Sequence, residues 1–392
     1  MRSKHGYIIL FLILLSPAAL CQTELNFQSV DSITYKYYMA GDWKNLISEG
    51  SRALESGIDY KFLRQRLGYA YFKTGDFTRA KKNFENALKY DSYDNFTLAY
   101  LYYVNLDLIR PETAGYYASR MSDTARKSYQ IKSSIAVEDI DLELSIKVPS
   151  TTMRTDPVYL RFGVGSRPWP RMGIYQSVSA FNQDITVRYP TQLIEFRNRQ
   201  YEYYGLVRYA LLPAFQVKAG YHFLYSEYSS LITYTNLGYL GLSTDISLFN
   251  INLEGSILNN SQVTVLQGGL RAGITIPGKA CLKITGSVSL LNQNNENYII
   301  YNSRIGFRLN EKIWMEGDVN WGNMNNYNEF DALYVYNSID PMTFRSGLTT
   351  YFLTRNRITI WINLGVERKN YYETDLYNYN QFSFLGGIRW RL

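Results

Sequence analysis

From Arg171 to the last residue, Leu392, the chain repeats one pattern: short segments in which apolar and polar residues alternate, with turns between them. Successive side chains of a strand point to opposite faces, so each segment has one apolar and one polar face. In one segment Phe215, Val217, Ala219, Tyr221, Phe223 and Tyr225 share a face, and Gln216, Lys218, Gly220 and His222 share the other. The split recurs at Ile358, Ile360, Ile362, Leu364 and Val366 against Arg357, Thr359, Asn363 and Glu367. It recurs again at Phe382, Phe384, Gly386, Ile388, Trp390 and Leu392 against Gln381, Ser383, Arg389 and Arg391. A soluble sandwich would turn the polar face to water outside; a membrane barrel turns it to the lumen.

The segment ends favour the membrane barrel. About twelve segments carry the pattern: 172–183, 200–211, 213–226, 230–243, 246–258, 261–276, 279–291, 297–309, 311–322, 342–354, 356–368 and 378–392. Tight connections fall at Leu212-Pro213, Thr244-Asp245, Pro277-Gly278, Asn310-Glu311 and Thr354-Arg355, and longer polar ones around 184–199, 292–296, 323–341 and 369–377. Short turns on one side and longer loops on the other are the habit of transmembrane barrels. On the apolar face Tyr209, Phe215, Phe307, Phe352 and Trp390 lie near the short-turn ends, and Tyr203, Tyr225, Tyr301 and Trp321 nearer the long-loop ends. This predicts two aromatic girdles around an apolar band. The polar face carries Arg208, Lys218, His222, Glu254, Arg271, Lys283, Arg304, Glu316, Asp318, Arg345 and Glu367, whose expected place is the lumen. The ending Ile388-Arg389-Trp390-Arg391-Leu392 resembles the closing signal read by barrel-assembly machinery, departing from it in a terminal Leu instead of Phe.

A mean hydropathy of −0.25 excludes a bundle of apolar membrane helices. With 37 tyrosines the aromatic share reaches 16%, which suits strands and membrane boundaries. The net charge of +7 comes without a dense Lys/Arg run, so nucleic acid is not an expected partner. At the amino terminus Arg2 and Lys4 precede an apolar core, Tyr7 to Leu15, followed by Ser16, Pro17, Ala18 and Ala19. This is the pattern of an export signal spanning 1–21, with Ala19 and Cys21 as the small residues before the cut. Around Cys21 the sequence also loosely resembles the bacterial lipobox, with Leu20 where a small residue is wanted, so lipidation of Cys21 stands as the alternative to its removal. Cys281 then has no partner, and no disulfide framework is expected.

Residues 23–128 change to a helical period and repeat themselves. Tyr37, Gly41, Trp43 and Ala53 find counterparts thirty-four residues on in Tyr71, Gly75, Phe77 and Ala87. The second copy resembles the tetratricopeptide repeat family, matching its signature at Leu67, Gly68, Tyr71, Gly75, Ala80, Phe84 and Ala87. The first copy departs from it, with Thr34 for the early glycine and Gly50 for the later aromatic, and a third pair spans roughly Asn95 to Met121, with Pro111 opening its second helix. The resemblance implies a groove that presents itself to a periplasmic protein partner; a plain spacer is the alternative. The expected fold class is therefore α+β multidomain. Helical repeats (23–128) lead through a linker (129–170) to a carboxy-terminal antiparallel transmembrane β-barrel (171–392). Twelve strands become fourteen if 158–164 and 184–197 both pair.

No active site rises from the sequence. After removal of the signal His222 is the sole histidine; parity puts it on the lumen face, and Ser226 lies four residues away, roughly 13 Å along a strand. That is beyond hydrogen-bond reach for an acyl-hydrolase pair. One histidine and one cysteine cannot build the usual metal sites, and Gly268-Gly269 and Gly386-Gly387 sit inside strands instead of forming a phosphate loop. The expectation is no enzyme, no cofactor and no metal. Repeats ahead of a carboxy-terminal barrel resemble the exopolysaccharide secretins of bacterial surfaces, which have more repeats and a larger barrel. What the resemblance implies is an outer-membrane barrel with periplasmic repeats, serving transport, export or envelope assembly. Its partners are outer-membrane lipid, a periplasmic protein, and a small or polymeric solute. The excess of Arg and Lys over Asp and Glu on the lumen face predicts anion preference. Two alternatives stand beside this reading: a closed structural or adhesive barrel with its 323–341 loop facing outward, and a lipid-modifying enzyme.

Overall fold

The computed structural model describes residues 26–392 apart from 133, 189–191, 247, 277, 279, 355–356 and 373. The export signal and Cys21 lie outside the described residues, as do Pro277 and Arg355 of two expected turns.

The described amino-terminal part is helical: α1 (Phe27–Ala40), α2 (Trp43–Glu55), α3 (Lys61–Lys73), α4 (Phe77–Ala87), α5 (Asn95–Asp107), α6 (Pro111–Ala118) and a short α7 (Asp123–Ser128). The 34-residue period appears as one turn made twice. Gly41 and Gly75 take left-handed backbone, with φ of 68° and 78°, where a side chain would be strained. The next residues, Asp42 and Asp76, accept hydrogen bonds from the N–H groups of Asn45 and Arg79 and cap the following helix. Leu67, Tyr71, Ala80 and Phe84 are buried in one cluster, and Ala87 is buried as well. A Cβ on Gly68 would come 2.8 Å from the Phe84 ring, so the two helices of the second hairpin meet through that glycine. Gly50, where the first copy lacks the aromatic, leaves room for Leu67: a Cβ there would sit 2.7 Å from its methyl carbon.

The rest closes into one antiparallel barrel of fourteen strands, not twelve. Its strands are β1 (Ile135–Pro149), β2 (Val158–Trp169), β3 (Met172–Arg188), β4 (Leu193–Leu212), β5 (Phe215–Tyr228), β6 (Leu231–Ile246), β7 (Phe249–Asn259), β8 (Thr264–Ile276), β9 (Leu282–Gln293), β10 (Glu296–Asn310), β11 (Ile313–Trp321), β14 (Met342–Leu353), β15 (Ile358–Tyr371) and β16 (Thr374–Arg391). Two residue pairs between β11 and β14, β12 (Asn328–Glu329) and β13 (Tyr334–Val335), form a small separate hairpin.

Two expectations are corrected here. Most of the 129–170 segment is not a linker: it supplies β1 and β2. The acidic residues that make 136–148 look like a solvated stretch point inward, where Asp141 and Glu143 are buried, while Leu142, Leu144, Ile146 and Val148 face out. β1 pairs along Asp139–Pro149 with Arg391–Gln381 of β16, and this contact closes the barrel. The second correction concerns the loops. Residues 184–188 and 193–199 extend the β3–β4 hairpin instead of forming a loop, and only 294–295 separate β9 from β10. The long connections are 150–157 and 322–341, which lie at the same end.

Outside, the barrel is apolar. Leu240, Leu253, Leu270, Leu290, Ile305 and Leu364 are exposed, with Tyr209, Trp321, Phe352 and Trp390 toward the strand ends and Tyr203 and Tyr301 further in along β4 and β10. Such a continuous apolar belt has no place in water and needs a lipid surround. No described helix is long and apolar enough to cross a membrane.

Candidate functional site

The lumen is occupied from both ends. From the long-loop end, residues 322–341 fold back into the barrel instead of facing outward. The adhesive alternative, which requires that loop to face outward, loses its surface. The loop brings Met324, Tyr327 and Ala332 against Tyr204, Leu237, Tyr239, Leu258, Val265, Leu291 and Ile300 of the wall. Charge fixes it further. Lys218 Nζ lies 2.9 Å from Asp331, Arg345 Nη1 lies 3.1 Å and Arg304 Nη2 3.5 Å from Glu329. The Tyr239 hydroxyl donates to Asp331 Oδ1 (2.9 Å), and the Tyr204 hydroxyl donates to the Asp331 carbonyl oxygen (2.7 Å). Phe330, Asp331 and Ala332 are three successive non-glycine residues with φ of 56°, 60° and 65°. Left-handed backbone costs such residues roughly 1–2 kcal/mol each, so wall contacts hold the tip in a shape it would not keep alone.

From the short-turn end the helical part covers one side of the mouth. Arg110 lies 3.0 Å from Asp245, and buried Glu112 lies 3.7 Å from Arg208 and accepts a hydrogen bond from Gln216 Nε2 at 3.1 Å. Arg171 lies 4.5 Å over the Tyr116 ring and donates from Nε to Ser119 Oγ. Gly115 meets the β2–β3 turn directly: a Cβ on it would fall 1.4 Å from the Pro170 carbonyl oxygen.

Between these two obstructions runs a cavity of about 2200 Å³, from the Thr74–Phe77 turn of the helical part along the wall to Asn198 and Lys369. Of the expected lumen residues, Arg208, Lys218, Arg271, Lys283, Arg304, Glu316, Asp318, Arg345 and Glu367 line it. Glu254 is held behind it by Arg271 at 3.0 Å. His222 is fully buried under the loop; because a carbonyl only accepts, its Nδ1 carries the proton and donates to Ala332 O at 2.8 Å, while Nε2 lies 3.3 Å from Glu202. His222 thus lies inside the barrel, away from its apolar outer face. The cysteine Cys281 is unpaired at the short-turn rim, and among the described residues no group of three or more His, Cys, Asp or Glu side chains could hold a metal.

Several residues of the site escape the alternation pattern. Arg161 on β2 lies 3.0 Å from Glu143 and 3.4 Å from Asp141 on β1, and Tyr334 of the loop donates to Glu143 at 2.8 Å. Glu367, on β15, is held by Lys147 of β1 at 2.7 Å. These partners lie in a segment that reads as a linker, and the loop residues Glu329 and Asp331 have no alternation to mark them.

At the long-loop rim Arg154, in the β1–β2 connection, grips Asp340 with two hydrogen bonds of 2.7 and 3.0 Å, and the Tyr379 hydroxyl adds a third. Burial alone would raise the Asp340 carboxyl, but Arg154 and Tyr379 outweigh it and hold the group below the usual aspartate range. A depressed folded-state pKa gives stabilisation that is complete above the unfolded value of about 3.9 and is lost as the pH falls through the lower folded value. Protease cleavage within 336–341 is therefore expected to stay flat from neutral pH down to about 4 and to rise below it. In Asp340→Asn it is high at every pH.

No protein-family model matches the sequence, and no curated protein matches it. Among solved structures, a bacterial polysaccharide outer membrane secretin aligns at 10% identity with a TM-score of 0.41, covering 65% of this chain and 98% of its own. The toluene transporter TbuX of Ralstonia pickettii aligns at 10% identity with a TM-score of 0.47, covering 66% and 90%. The toluene transporter TodX of Pseudomonas putida aligns at 5% identity with a TM-score of 0.45, covering 64% and 89%.

Proposed function

We propose that this chain is an outer-membrane channel whose passage is narrowed by its own 322–341 loop, with its helical repeats on the periplasmic side as a docking module for a partner protein. The observation that carries the reading is the loop itself, strained at its tip, seated on lumen charges, and leaving a continuous cavity beside it. A barrel that served only as an anchor could be packed solid by wall side chains, as small barrels are. Fourteen strands lie between the filled eight-stranded barrels and the open porins of sixteen and more. The short-turn end of such barrels faces the periplasm, which supports a periplasmic place for the helical part that covers it. Basic side chains outnumber acidic ones along the cavity, and this supports transport of anions.

The test is planar-bilayer conductance of the refolded full chain. Small steps with a reversal potential shifted toward the anion equilibrium value are the expected result. Cation selectivity would remove the anion assignment, and silence at every voltage would return the barrel to a closed anchor for its helical part.

A further inference from the structure

Three aromatic side chains stand where a barrel lumen is ordinarily polar. Trp314 on β11 pairs in register with Tyr351 on β14, and Tyr351 pairs with Trp361 on β15. The row continues to Arg308 on β10 at one end and to Gly387 on β16 at the other. All three rings line the cavity. With β10 as its first strand, the row occupies the wall across the barrel from β3 and β4, where the helical part docks, so it faces the uncovered side of the mouth.

The two indoles lie back against the wall. A Cβ on Gly306 would come 2.7 Å from the Trp314 ring, and one on Gly387 would come 2.1 Å from the Trp361 ring. Each lumen-facing glycine gives its neighbour's indole a flat bed, and Trp314 is fixed by donating from Nε1 to Glu316 Oε1 at 2.8 Å. Bracing is the purpose of the comparable pairs elsewhere: Tyr175 beside Gly163 is tied to Asp141, and Tyr239 beside Gly241 is tied to the loop through Asp331. The Trp314–Tyr351–Trp361 row makes no such tie to the loop among the described contacts and borders open space.

Cations flank the row. Arg308, Lys283 on β9 and Arg391 on β16 line the cavity with no ion pair within 4 Å among the described residues, and Arg389 reaches Asp139 only at 3.7 Å. Hydrogen-bonding side chains border it, Thr349 and Asn363 on one side and Thr359 on the other. Adjacent strands are about 4.8 Å apart, close to the width of one pyranose ring, so the half-buried Trp314 and Tyr351 rings offer successive apolar platforms and the more deeply buried Trp361 indole ends the row. Carboxylates along the same ligand would meet guanidinium groups at both ends. The cavity of about 2200 Å³ exceeds what a drug-sized ligand needs. A flat aromatic acid would use one ring and one cation and leave the rest of the row idle.

We propose that the Trp314–Tyr351–Trp361 row, with Arg308, Lys283 and Arg391, is a binding site for an acidic oligosaccharide, its sugar faces on the rings and its carboxylates on the cations. This deepens the channel reading and rests on it for its role in transport, but occupancy of the site is measured separately from current.

The experiment is a titration of intrinsic tryptophan fluorescence in the refolded full chain in detergent, with a mannuronate tetramer, neutral maltotetraose and benzoate as probes. Saturable change with the uronate tetramer is expected, with maltotetraose about tenfold weaker and benzoate weaker still. Tyr351→Leu, which leaves both reporters in place, is expected to weaken the uronate about fivefold or more. Arg308→Gln and Arg391→Gln together should weaken the uronate to the level of maltotetraose without moving maltotetraose itself. Far-ultraviolet circular dichroism checks that each variant is folded, and the arginine pair stands as the test if Tyr351→Leu is not. No saturable change with the uronate, equal binding of benzoate, or uronate affinity unmoved in the folded variants would each overturn the proposal. Binding without conductance would remove the channel reading and leave the site.

Discussion

Removing residues 323–340 and joining the flanking strands with a short glycine-serine turn is expected to raise single-channel conductance several-fold while the barrel still assembles. The loop fills the lumen between Tyr204, Leu237 and Ile300, yet it contributes no strand to the wall. Closure of the barrel depends on the β1–β16 pairing and on β11 against β14, both formed by residues outside the deletion. The cost falls on Arg304, Arg345 and Lys218, which lose Glu329 and Asp331, and on Arg154, which loses Asp340. Removing one partner of a buried pair is expensive when the other stays dry; here the emptied lumen admits water, so the charges are resolvated. Conductance in planar bilayers decides it, and reversal potentials should move further toward anions, because three carboxylates, Glu329, Asp331 and Asp340, leave while Lys218, Arg304, Arg345 and Arg154 stay. Unchanged conductance in an assembled barrel would mean that the loop does not limit passage.

The second large effect is expected at Gly115. In a solvent-exposed helix, Gly→Ala stabilises by roughly 0.5–1 kcal/mol. At this position the sign reverses. The new methyl would be driven 1.4 Å from the Pro170 carbonyl oxygen, and the closest atoms it meets all belong to the barrel turn. The helical core, built on Leu67, Phe84, Leu98, Val104 and Tyr117, is a cluster separate from the barrel's own and is not touched. Gly115→Ala should therefore leave the helices folded and release them from the mouth, taking the Glu112–Arg208 and Arg110–Asp245 contacts with it. With a protease site inserted in the 129–134 connector of the full chain, the cut halves of the parent are expected to stay together. Those of Gly115→Ala should separate at concentrations about tenfold higher or more. Halves of the variant that remain together as tightly as the parent's would show that the turn yields and the docking is soft.

How much of this was legible in the chain follows from the range of the interactions involved. Alternation is local, and it marked β5, β15 and β16 and put Lys218, Glu316 and Glu367 on the polar face, because a strand's two faces are set by its own residues. The 34-residue period marked the helical hairpins for the same reason: Gly75, Asp76 and Phe84 act within one turn or one helix pair. The first two strands were hidden because Asp139, Asp141 and Glu143 make β1 look solvated, and their partners Arg389 and Arg161 become visible only when residues far apart in sequence are brought side by side. The 322–341 loop was legible as a long polar connection, but its direction was not, because an Asn- and Tyr-rich segment suits either water or a charged lumen. What turned it inward was the ring of Lys218, Arg304 and Arg345, carried on three different strands. For the twelve wall strands from β3 onward, parity along the chain was enough to separate lipid-facing from lumen-facing residues, since it depends only on a strand's own residues. Barrel closure, the seat of the loop, the docked helical part and the row of Trp314, Tyr351 and Trp361 were decided by the tertiary structure, because each needs strands or segments that only the closed sheet brings into register.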